Sequence, residues 1–151
     1  MGEEEMATDQ TPADRAFELA YGQSCADVWG WSFYHEPDKH TAFDGRFSED
    51  GKLVALYEFK ARQMQWGDYS TIYLSLKKAH KILRHARFGK ARAFFVVWPR
   101  KGVNFYWVDL ARIRSLIPIQ RLTWQPRSLS FELDDIYEIP IKWFQHWSIK
   151  P

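Results

Sequence analysis

Polar and apolar positions along the chain mark out a few segments whose order is informative. Leu53–Lys60 reads as a strand, with Leu53, Ala55, Tyr57 and Phe59 on one face and Val54, Leu56, Glu58 and Lys60 on the other. A strand that is apolar on both faces is central and buried, where charge needs a partner or a ligand. Ala42–Phe47 reads as a second short strand, and Ser48-Glu49-Asp50-Gly51 as the turn between the two. In an antiparallel hairpin centred near Gly51, opposed positions have numbers adding to about 102, which sets Asp44 against Glu58. A slip of one residue would turn Asp44 to the far face.

The flanks add helices and further strands. Thr11-Pro12-Ala13-Asp14 has the form of a helix start, and Ala13, Ala16, Phe17 and Ala20 form an apolar stripe that stops near Gly22. Val28–Tyr34 is aromatic, and either irregular or strand-like. After a polar loop, Asp68, Ser70 or Thr71 caps a helix running to about Arg87; Ile72, Leu76, Ala79, Leu83 and Ala86 give its helical period and Gly89 its stop. Ala91–Trp98 is a continuous apolar run expected to be a buried strand. Pro99–Gly102 turns it back into Val103–Leu110. Beyond Asp109 the pattern weakens: a short helix over Ala111–Ile117, a strand over Phe131–Leu133 and a C-terminal helix over Ile141–Trp147 are expected.

Composition narrows the class. The chain has 151 residues, 46% of them hydrophobic and 26% charged, as in one globular domain. Residues 1–12 read as an acidic flexible tail and 13–151 as one domain. Residues 1–14 hold five acids and no Lys or Arg, so the remainder carries 21 basic against 14 acidic residues and a net charge of +7. A basic body suits a polyanionic partner. A single cysteine, Cys25, excludes an internal disulfide and Cys-rich zinc patterns, and the histidines show no zinc spacing. No apolar run approaches the ~20 residues of a membrane span and no signal-peptide pattern follows Met1, so a cytoplasmic protein with no membrane partner is expected.

Two facing carboxylates repel, and a cation between them resolves the conflict; hard oxygen ligands suit Mg2+ or Mn2+. An acid, a turn and then Glu58-Phe59-Lys60 at the end of a buried strand resembles the PD-(D/E)xK nuclease superfamily, in particular its short single-domain phage-type members. The matching stretch runs from about Phe17 to Asp109. It takes in the leading helix with Glu18, the hairpin, the Tyr73-Leu74-Ser75-Leu76-Lys77 helix and the strands Phe94–Trp98 and Asn104–Asp109.

The resemblance implies a restriction-endonuclease-like α/β (α+β) core, a central mixed sheet of four or more strands flanked by helices. It implies a divalent-metal-dependent DNA nuclease in which Asp44, Glu58 and Lys60 are catalytic. Asp44, Glu58, Glu18 and the Phe59 backbone carbonyl would hold the metal. Asp38, in a literal Pro37-Asp38, competes with Asp44 as the first acid, and Glu18 reads equally as a solvated helix residue. Tyr73 and Lys77 are candidate auxiliary residues. Lys78, Lys81, Arg62, Trp66, Arg100 and Lys101 are candidate nucleic-acid contacts, although a charged helix face can also be merely solvated. DNA is the expected partner, RNA stays open, and a dimer would suit a two-strand cutter; a phage protein would act in the host cytoplasm. The alternative is a nuclease-like fold that binds nucleic acid without cutting it.

Overall fold

The computed structural model describes residues 12–36, 43–125 and 128–151. Its centre is a six-stranded mixed sheet in the order β1-β2-β3-β5-β6-β9. These strands are β1 (Ser32–His35), β2 (Gly45–Glu49), β3 (Lys52–Arg62), β5 (Arg92–Pro99), β6 (Tyr106–Asp109) and β9 (Gln145–His146). The central pair β3 and β5 is parallel, and every other pairing in the sheet is antiparallel.

Helices α1 (Pro12–Trp29) and α2 (Leu76–Phe88) cover opposite faces. The alternation along β5 shows why its sequence is a continuous apolar run. Phe94 and Val96 join the α1-side core with Cys25, Ala26 and Trp29, while Ala93, Phe95 and Val97 join the α2-side core with Ala79, Ile82 and Ala86. A second antiparallel sheet, β4 (Thr71–Ser75), β8 (Ser130–Pro140) and β7 (Ile119–Gln125) in that order, extends the α2-side core through Ile72, Leu74, Tyr137 and Ile139. Among the described residues no helix is long and apolar enough to cross a membrane.

Several elements depart from the sequence pattern, each for a physical reason. Helix α1 does not stop at Gly22. That glycine is helical and lies against the Phe33 ring, where a Cβ would collide. Of the expected stripe only Phe17 packs inward, half-buried against the α1-side core; Ala13, Ala16 and Ala20 are exposed, and the buried line is Asp14, Glu18, Cys25 and Trp29. Residues 71–75 form a strand, not the first turn of a helix. Ile72 is therefore a core residue of β4, and α2 begins at Leu76. The C-terminal segment makes only a 3-10 turn, Ile141–Trp143, before β9. Phe144 and Trp147 still pack inward as expected. The Ala111–Ile117 helix is a 3-10 helix over Leu110–Ser115.

The β2–β3 hairpin turns on Asp50 and Gly51, both left-handed (φ 50° and 76°), which is tighter than the four-residue turn expected. Two-residue turns of this kind match the twist of the flanking strands. Near the tip Glu49 faces Lys52 and Ser48 faces Leu53. Past a bulge, Phe47 faces Ala55 and Gly45 faces Tyr57. Val54 is the extra residue. It turns Leu53 into the α2-side core and Val54 toward the α1 side, the reverse of a regular alternation.

Candidate metal-binding and nuclease site

The bulge sets the phase of the site. Had the tip pairing continued unbroken from the turn, Asp44 would align with Tyr57, whose side chain lies on the α1 side. Because Val54 stands outside the ladder as the unpaired residue, Phe47 pairs with Ala55 instead of Val54, and Asp44 comes level with Glu58. The hydrogen bonds agree. The Asp44 N–H donates to the Tyr57 carbonyl (2.8 Å), and Asp44 Oδ2 accepts the Phe59 N–H (2.7 Å), so Asp44 is tied to both neighbours of Glu58.

Glu58 and Lys60 follow Leu56 on the α2 side of β3, beyond the end of the apolar core. Glu58 is 8% exposed, and Lys60 Nζ lies 3.1 Å from its Oε2. Lys78, from the first turn of α2, brings a second ammonium to 3.9 Å from the same oxygen. Burial, reinforced by the Glu58 carboxylate, pushes the Asp44 carboxyl up to about 7, against the opposing pull of Lys60 and the Phe59 N–H. Burial alone would lower Lys60, but Glu58 and Asp44 outweigh it and hold its ammonium above the ordinary range. Partial burial and the neighbouring Lys60 lower Lys78 to about 8.

A carboxyl raised this far beside a second carboxylate is a place where positive charge is wanted. Among the described residues no group of three or more His, Cys, Asp and Glu side chains converges as a ready-made metal cage. The donors that do meet are two hard carboxylates, which fits an ion such as Mg2+ that keeps much of its own water. Glu18 does not join them. It is 1% exposed, accepts from the Tyr57 hydroxyl (3.1 Å) and lies 3.2 Å from His35 Nε2. It is near enough to add to the upward push on Asp44, and it is no solvated helix residue. Burial and then Arg15 lower His35, while burial and Glu18 raise Tyr57.

The remaining sequence candidates fall elsewhere. Asp38 lies outside the described residues. Tyr73 stands in the second sheet, opposite Glu138 and beneath the Arg121 guanidinium at 5.0 Å, rather than beside Glu58. Lys77 is exposed; the next residue, Lys78, is the one that reaches the carboxylate. Arg62 is buried and donates to the Tyr73 carbonyl, and Arg100 is paired with buried Asp14, so both are structural cations rather than a free surface for phosphate. Trp66 stacks on Tyr106 at 3.8 Å and meets Phe144 edge-on, which makes it part of the core rim. Lys81 and Lys101 are exposed. The contact of Lys78 with Glu58 had a sequence signal: Lys78, Ile82 and Ala86 are spaced by four, which puts Lys78 in line with the buried stripe of α2.

The mixed sheet between helices, with an acid entering a hairpin and Glu-x-Lys near the end of its central strand, is a restriction-endonuclease-like fold. Among solved structures the chain is similar to Hjc, a Holliday junction resolvase from the hyperthermophilic archaeon Archaeoglobus fulgidus. The match covers 82% of each chain with a TM-score of 0.53 at 13% sequence identity, a likeness of fold. No protein-family model and no curated protein matches the sequence.

Proposed function

We propose that this protein is a divalent-metal-dependent nuclease that hydrolyses DNA phosphodiester bonds at Asp44, Glu58 and Lys60. One observation carries the reading. A half-buried carboxylate, fixed by the Phe59 N–H, is aligned with a Glu–Lys pair at the end of a central strand, on a fold shared with a DNA resolvase. Asp44 and Glu58 would hold Mg2+ or Mn2+, with the Phe59 carbonyl as a further oxygen ligand. When bound, the ion supplies charge for the phosphate oxygens and a coordinated water of lowered pKa. Lys60, freed from Glu58, orients the attacking water and offsets charge on the phosphate. Glu18, held by Tyr57 and His35, keeps the α1 side of the site negative and firm. Lys81 and Lys101 offer charge to neighbouring phosphates. The Hjc likeness favours duplex and branched DNA over RNA.

The closed Glu58–Lys60 pair, which satisfies both charges unaided, supports one other reading: a nuclease-like protein that binds nucleic acid without cleaving it. Incubation of linear, circular, single-stranded and junction DNA with Mg2+ and Mn2+ decides between them. Cleavage by the wild type, lost in Asp44→Ala, Glu58→Ala and Lys60→Ala proteins that remain folded, supports the nuclease. DNA binding without cleavage in any divalent ion supports the alternative. Cleavage retained in all three variants removes this site from the chemistry.

A further inference from the structure

Two ammonium groups from different elements face a single carboxylate oxygen: Lys60 at 3.1 Å and Lys78 at 3.9 Å from Glu58 Oε2. Lys60 lies on the floor of the site, its side chain 29% exposed. Lys78 stands at the foot of α2 with 49% of its side chain open to solvent, at the mouth. Fully ionised, Asp44 and Glu58 balance the two lysines. A divalent cation on the carboxylates leaves both ammoniums without a counter-charge, and water orientation accounts for only one of them. The second needs an anion.

We infer, resting on the nuclease reading above, that Lys78 is a second active-site lysine whose ammonium binds a non-bridging oxygen of the scissile phosphate once the carboxylates hold the cation. A phosphodiester brings one negative charge to this position and gains another as water adds, so the contact strengthens toward the transition state. The helix supports the placement. Lys81 and His85 follow Lys78 at spacings of three and seven, on one face, and the His85 ring lies 6.0 Å from that of Phe43, next to Asp44. That face spans ~10 Å along the site mouth, which is room for the neighbouring phosphate beside Lys81.

The test is the affinity of wild-type, Lys78→Ala, Lys78→Met and Lys78→Arg proteins for a fluorescent duplex oligonucleotide, by anisotropy, with Ca2+ and with EDTA over a range of salt. With Ca2+, the Ala and Met variants should bind about tenfold more weakly, with a log K–log salt slope reduced by about 0.9, and Arg should recover most of the loss. In EDTA, where Glu58 retains the ammonium, the change should be less than about twofold. Equal weakening in both buffers marks an ordinary surface contact and overturns the proposal. So does lowered thermal stability with unchanged DNA affinity, which marks a structural ion pair, and so does a wild type that binds DNA in neither buffer. A calcium-dependent Lys78 effect in a protein that cleaves nothing removes the nuclease reading and keeps the phosphate contact. A cleaving wild type whose Lys78→Ala variant binds like it removes the contact alone.

Discussion

Replacing Asp44 with Asn should make the metal-free protein more stable and the loaded protein inert. The amide keeps an oxygen for the Phe59 N–H and removes the charge that burial and Glu58 oppose. Asp44 is raised from 3.8 to about 7, and each pKa unit is worth about 1.4 kcal/mol, so the folded state at neutral pH carries a ceiling of roughly 4 kcal/mol. Asp44 is only half-buried, and solvent screening brings the expected gain to about 2 kcal/mol. The sign follows from proton counts. Between about pH 4 and 7 the folded wild type holds a proton that the unfolded chain has released, so wild-type stability falls as pH rises through that window. Below it both states are protonated and the penalty vanishes. Urea denaturation in EDTA should therefore show Asp44→Asn ahead of wild type at pH 8 and level with it near pH 4. Added Mn2+ should stabilise the wild type alone. A variant no more stable than wild type at pH 8, or one whose advantage persists unchanged at pH 4, would show that burial and Glu58 do not penalise the Asp44 charge.

Further expectations concern the same site and its supports. Mn2+ affinity, measured by calorimetry, should fall about tenfold per pH unit below about pH 7 as Asp44 takes up a proton, with proton release visible in the buffer dependence of the heat. Affinity independent of pH between 5.5 and 7.5 would exclude Asp44 as a ligand. Arg100→Ala removes the guanidinium paired with buried Asp14 and should cost about 3 kcal/mol in denaturation while leaving the salt slope of DNA binding unchanged. Deleting Val54 should straighten β3, keep Asp44 level with Glu58 and preserve Mn2+ binding, with a modest loss of stability. Loss of binding in that folded variant would show that the bulge does more than set register.

Much of the site was legible because its residues lie close in sequence. The β3 pattern, the hairpin and the Glu58–Lys60 pair depend on local alternation and one turn, and Asp44 comes level with Glu58 as that reading required. The bulge was not legible. The register near the site agrees with a turn centred on Gly51 only because the tighter real turn and the extra residue offset each other. The burial of Glu18 and Asp14 was not legible, because it depends on Tyr57, His35 and Arg100, far away in the chain. Arg62 and Arg100 looked like free cations for the same reason. Ile72 fits a helical period as well as a strand, and no breaker separates Ser75 from Leu76, so β4 was absorbed into α2. The strand expected over Phe131–Leu133 lies in β8, but β7 and the rest of β8 show no clean alternation, since Leu122, Phe131 and Leu133 face solvent beside polar neighbours.

If the protein is a nuclease of this kind, the Asp44 and Glu58 carboxylates together hold one divalent ion. Anomalous diffraction from a crystal of the wild-type protein soaked in Mn2+ tests it most directly. One peak within reach of both carboxylates, with Lys60 moved off Glu58, is the expected result. A crystal that takes up Mn2+ elsewhere, or leaves the Glu58–Lys60 pair closed with no density between residues 44 and 58, would contradict it.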